Sequence, residues 1–138
     1  MNIRAYEELD QEQVIALWRE CGLVVPQNNP EKDIARKLLV DRDLFIVGLE
    51  GNEIVASVMG GYEGHRGWIN YLAVKPSVQR KGYGQQLMQA VETLIQAKGC
   101  PKINLQVRAS NANVLAFYAA IGYGNDEVLG LGKRLKTD

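Results

Sequence analysis

The run Gln79-Arg80-Lys81-Gly82-Tyr83-Gly84 joins an apolar stretch to an amphipathic one. Its residue types suit one kind of chemistry, the holding of an anion. The first turn of a helix has N–H groups with no internal partner, and the helix dipole adds partial positive charge there. A phosphate accepts several of those N–H groups at once. Glycine lets it come close, because a Cβ would hold it off the backbone, and glycine also allows the φ > 0 geometry that makes successive amides converge. A plain helix-starting turn accounts for the same residues, and the run alone does not decide between the two.

Other glycine-rich loops fit less well. A P-loop ends in Gly-Lys-Ser/Thr, whereas Gly84 is followed by Gln85. The dinucleotide fingerprint needs three glycines after the first strand of a βαβ unit. Cys21 and Cys100 are the only cysteines and lack CxxC spacing, and His65 is the single histidine, so a metal centre is not expected. Cys100 precedes Pro101 at a helix-to-strand turn with no activating base nearby in sequence, and reads as structural.

The elements that position the loop follow from hydrophobic periodicity. Residues 2–6 read as a strand and 10–21 as a helix, with Leu9, Val14, Leu17, Trp18 and Cys21 near helical spacing. The stretch 24–30 is a loop bracketed by Pro26 and Pro30. Pro30 then opens a helix whose apolar face is Ile34, Leu38 and Leu39. Strands at 43–50 and 53–61 flank Gly51-Asn52, the spacing of a tight hairpin, and 68–74 is a third strand. A long helix runs from Tyr83 to Gly99, then a strand at 102–107, a helix at 111–122 and a last strand at 127–135. The order β-α-α-β-β-β-α-β-α-β predicts an α/β fold: a mixed, mostly antiparallel sheet with helices on both faces, closed by one parallel neighbour.

The chain has 138 residues, enough for one domain, and its 46% hydrophobic and 23% charged composition is that of a globular protein. Sixteen basic and 16 acidic residues give a formal net charge of +0, which argues against broad attraction to nucleic acid or an anionic membrane. No apolar run approaches the roughly 20 residues needed to span a bilayer, and no signal peptide precedes the first strand. A cytoplasmic location is expected.

Two stretches together carry a family resemblance. "YLAVKPSVQRKGYGQQLM" (71–88) resembles the acetyl-CoA-binding segment of the GCN5-related N-acetyltransferases, whose signature is Gln/Arg-x-x-Gly-x-Gly/Ala after a strand. "QVRASNANVLAFYAAIGY" (106–123) resembles that family's second motif, with Asn111, Tyr118 and then Gly122-Tyr123. "MGGYEGHRG" and "LGLGKRL" are similar to its small bacterial members, and "VRASN" to its ribosomal-protein alanine acetyltransferases.

The resemblance implies a single N-acetyltransferase domain over residues 1–138 with central parallel strands that splay around acetyl-CoA. Leu72, Ala73 and Val74 would offer backbone groups to the acetyl and pantetheine amides. The amides of Arg80, Lys81, Gly82, Tyr83, Gly84 and Gln85 would hold the pyrophosphate, and Asn111 the pantetheine arm. Tyr118 would be the general acid that protonates the departing thiolate. The base is where the pattern breaks: related ribosomal-protein enzymes have Glu where this chain has Gln106, which cannot take a proton. Glu63 and His65 are the substitutes, and Asn28, Asn29, Tyr62 and Glu63 are candidate acceptor contacts. The expected partners are acetyl-CoA and an amine acceptor, with a homodimer left open, and neither nucleic acid nor membrane. A non-catalytic acyl-CoA-binding regulatory domain is the alternative that Gln106 keeps in view.

Overall fold

The computed structural model describes residues 1–138, which divide into two compact units, Met1–Asn104 with Asp138, and Leu105–Thr137. The first contains β1 (Asn2–Ala5), α1 (Gln11–Glu20), α2 (Pro30–Lys37), β2 (Phe45–Glu50), β3 (Glu53–Tyr62), β4 (Gly67–Val74), α3 (Tyr83–Ala97) and β5 (Ile103–Asn104). The second contains α4 (Ala112–Ala120).

The five strands form one sheet in the order β1-β2-β3-β4-β5, antiparallel except for the parallel β4–β5 pair. Side chains alternate across a strand. On one face Phe45, Val47, Leu49, Ile54, Met59 and Ala73 pack with Val14, Leu17 and Trp18 of α1 and Ile34 of α2. Trp18 is fully buried, and its indole N–H donates to Ser57 Oγ at 2.8 Å, so the one polar atom of that large side chain is satisfied. On the other face α3 buries Leu87, Met88, Val91 and Ile95. It lies close because of two glycines. A Cβ on Gly60 would fall 2.6 Å from Val91 Cγ2, and one on Gly67 would fall 3.0 Å from Ile95 Cγ2.

Most of the expected elements are present, with informative exceptions. The expected strand at 102–107 is paired only at Ile103–Asn104. The expected last strand at 127–135 does not form: those residues carry no strand pairing, and Val128, Leu129, Leu131 and Leu135 are 77%, 89%, 91% and 89% exposed. A strand exists only through a partner, and Gly130 and Gly132 weaken the segment further. Leu9 and Leu39, expected on apolar helix faces, are 94% and 86% exposed, because the first lies before α1 and the second after α2.

Candidate functional site

The loop between β4 and α3 is built for open backbone amides. Val74 ends β4, and its carbonyl accepts from both Gln79 Nε2 at 3.1 Å and Cys21 Sγ at 3.3 Å, which pins the strand end to the loop. A short 3-10 turn, Pro76–Val78, buries Val78. Arg80 and Gly82 then take φ of 75° and 80°, both left-handed. Gly82 is the N-cap of α3 and supplies no side-chain cap, and no acidic residue stands in the first turn. The first helical bond is Gln86 N–H to Gly82 C=O at 3.0 Å, so the amides of Tyr83, Gly84 and Gln85 precede the intrahelical ladder. The expected cradle thus has the geometry of an anion site at the start of a 15-residue helix.

The cations of this loop are not equivalent. Lys81 Nζ lies 3.4 Å from Glu50 Oε2, and the Tyr83 hydroxyl donates to the same carboxylate. Those contacts hold the part-exposed Glu50 carboxyl below its usual range, the Tyr83 bond being the larger cause. Glu50 therefore ties down Lys81 and Tyr83, while Arg80 is exposed at the turn. Sequence reasoning missed Glu50, because it comes from the β2–β3 hairpin 31 positions away.

β4 offers the second feature. Its parallel pairing is confined to Gly67↔Ile103 and Trp68↔Asn104, so Ile69–Val74 have no strand partner on that edge. On the β3 side Asn70 pairs with Met59 and Ala73 with Ser57, which leaves Tyr71 and Leu72 together opposite Val58. This is a β-bulge, and Tyr71 takes φ 52° within it. The Tyr71 ring stacks on Trp18 at 3.9 Å, and its hydroxyl donates to Asp33 Oδ2 at 2.6 Å. Burial, and then the bond to Asp33, push the Tyr71 phenol above its ordinary range. The bulge depends on strand register, so no local sequence signal marked it.

The remaining expected residues have defined structural partners. Glu63 Oε1 accepts the backbone N–H of His65 at 2.9 Å and also that of Arg66. These bonds hold its carboxyl below the usual range, which makes it a weaker base. His65 is exposed on the same turn, and the Tyr62 hydroxyl donates to Gly64 C=O at 3.1 Å. Asn29 Oδ1 caps α2 by accepting from Lys32 N at 3.0 Å, while the Asn28 side chain reaches the Tyr71 hydroxyl.

In the second unit Asn111 and Tyr118 share α4. Asn111 is its N-cap, with Oδ1 accepting from Val114 N at 3.2 Å, so the side-chain NH2 is the end that can donate to a ligand. Tyr118 is 9% exposed, with Phe117 and Tyr123 edge-on at 5.1 and 5.5 Å. Burial pushes its phenol up to about 12. Gln106 lies against Gly130, where a Cβ would come within 2.9 Å of its Nε2. No group of three or more His, Cys, Asp or Glu side chains stands together as a metal site, and no helix is long and apolar enough to cross a membrane.

A splayed, mostly antiparallel sheet with an open helix start after β4 is the frame of an acyl-transfer fold. Residues 4–123 match the Acetyltransferase (GNAT) family, and the chain belongs to that family. It is 48% identical over 139 residues to Acetyltransferase SG1711 of Sodalis glossinidius, covering 100% of this chain and 98% of that one. It is 44% identical over 138 residues to Acetyltransferase YE1169 of Yersinia enterocolitica, with the same coverage of 100% and 98%. Among solved structures, AAC(6')-Iy in complex with the bisubstrate analog CoA-S-monomethyl-acetylneamine superposes with a TM-score of 0.80, over 96% of this chain and 97% of that one. At 16% identity that likeness shows the fold. The chain is an acyltransferase of the GNAT family.

Proposed function

We propose that this chain is an acetyl-CoA-dependent N-acetyltransferase, acting as one domain, that transfers the acetyl group directly to a primary amine of a small molecule, a peptide N-terminus or a lysine. The observation that carries the reading is the uncapped start of α3, with Gly82 at φ 80° and no acid in the first turn. Those amides suit a pyrophosphate, and Arg80 adds a cation beside them. Apart from the Val74 carbonyl, which Gln79 and Cys21 already occupy, the unpaired edge of β4 at Leu72–Val74 supplies backbone groups for an extended amide-bearing arm, as an added strand would use them. The family resemblance gives Asn111, whose side-chain NH2 is left to donate once its Oδ1 caps α4, a role toward the pantetheine arm.

In the transfer step the neutral amine attacks the thioester carbonyl carbon, a C–N bond forms, and the C–S bond then breaks. A backbone N–H at the Tyr71–Leu72 bulge stabilises the oxygen that gains charge. Tyr118 donates its hydroxyl hydrogen to the departing sulfur; a phenol pushed up to about 12 stays protonated throughout the neutral range. The proton of the attacking amine leaves to water or to His65; with its carboxylate tied into the 63–66 turn, Glu63 is better suited to holding that turn. Thiol release from acetyl-CoA, followed with polyamines, amino acids and peptide N-termini as acceptors, tests the reading. Release that depends on one acceptor class supports it, and no release with any of them contradicts it.

A further inference from the structure

The acceptor side of the site has its own charge, and it comes from a residue that sequence patterns did not single out. Asp33 lies on α2, part-exposed, with its side chain 26% accessible. Its Oδ2 accepts the Tyr71 hydroxyl at 2.6 Å, which fixes the carboxylate beside the β4 bulge. Its Oδ1 lies 3.9 Å from Arg36 Nη1, beyond hydrogen-bond distance. Arg36 is committed elsewhere: both terminal nitrogens donate to the Asp138 carboxylate, at 2.7 and 2.6 Å. The guanidinium edge is thus turned toward Asp138. Oδ1 of Asp33 stays available to another donor, with Asn28 exposed on the loop beside it.

The chain direction gives this carboxylate its meaning. β4 runs from the Tyr71 bulge to Val74 and on to the amides at the start of α3. A donor whose phosphates sit at those amides and whose arm lies back along β4 presents its acyl end toward the bulge. Tyr71 leaves the bulge on the face that packs against α1 and α2, where Trp18 and Asp33 meet it. An acceptor must reach the acyl group from that side.

We propose that Asp33, held by Tyr71, is an acceptor-binding carboxylate that selects amines bearing a second positive charge in addition to the nitrogen that is acetylated. The assignment rests on the donor reading above. The second ammonium is the one that meets Asp33, because a carboxylate paired to the attacking nitrogen would hold it protonated and unreactive. Diamines, polyamines and amino sugars have that chemistry.

Calorimetric titration of the protein with spermidine and with propylamine, in the presence of CoA, tests the assignment. The wild type is expected to bind spermidine roughly tenfold tighter than propylamine, a difference that shrinks as salt screens the part-exposed carboxylate. Asp33→Asn keeps the shape and can still accept from Tyr71, yet should bind both amines alike; Asp33→Glu should recover part of the preference. Spermidine binding that is unchanged in Asp33→Asn, or a wild type that does not prefer spermidine, overturns the assignment. A fall in melting temperature without any change in amine preference assigns Asp33 a structural role and also overturns it. Acetyl-CoA is titrated separately: if it fails to bind the wild type, the donor reading falls, whereas a wild type that binds acetyl-CoA but shows no spermidine preference, or an Asp33→Asn variant that keeps that preference, removes only the role of Asp33.

Discussion

Tyr118 and Asp10 show how two buried polar side chains have different tasks. Burial raises the Tyr118 phenol. If it protonates the departing thiolate, Tyr118→Phe should lower kcat about 100-fold while leaving acetyl-CoA affinity within about twofold. Steady-state kinetics with a separate binding titration reads both. Asp10 is 5% exposed and accepts from Arg4 at 2.7 and 2.9 Å. The bond to Arg4 is the main cause that holds its carboxyl below the ordinary range. A folded-state pKa depressed in this way contributes stability above the unfolded value, near 3.9. That contribution is lost as pH falls through the folded value. Asp10→Asn should therefore cost about 2 kcal/mol at pH 7 and progressively less toward strongly acidic pH, as denaturant melts across pH would show. Of these side chains, those near the glycine-rich hexapeptide were legible in sequence, because the chemistry of Gly82 is local. Asp33–Tyr71 and Glu50–Lys81 were not, since their partners lie 38 and 31 positions apart and meet only through tertiary packing.

At the level of elements, the glycines of β3 and of the α3 N-cap answer different needs. Gly60 lets α3 approach the sheet, so Gly60→Ala forces a Cβ toward Val91, 2.6 Å away. Overpacking of this kind should destabilise by about 1–3 kcal/mol, measurable as a lower denaturation midpoint with acetyl-CoA affinity kept in the folded fraction. Gly82 meets nothing within 4 Å, yet sits at φ +80°. Gly82→Ala should cost only about 1 kcal/mol of stability but weaken acetyl-CoA binding, because the strain is placed at the cradle itself. The β2–β3 hairpin was readable from the Gly51-Asn52 turn, and a mostly antiparallel sheet from the order of elements; that β1 pairs with the outer edge of β2 was not. The bulge at Tyr71 was not, since register is a property of two strands together. The stretch 127–135 shows the converse: its alternation reads as a strand, yet nothing in one sequence says whether a neighbour exists to pair with it.

Across the molecule, family membership rests on residues 4–123 and on relatives at 44% and 48% identity over the whole chain. The reaction class follows from that membership, whereas the donor's placement is a claim about this chain's own amides. The formal net charge of +0 means that no global field draws in the anion, so the affinity must come from the local array at α3. The most direct measurement compares the binding of acetyl-CoA with that of acetylpantetheine, which keeps the thioester arm and lacks the nucleotide and its pyrophosphate. Two or more charge-assisted bonds from the Tyr83–Gln85 amides predict that acetyl-CoA binds at least about 100-fold tighter. Equal affinities for the two compounds would contradict the account.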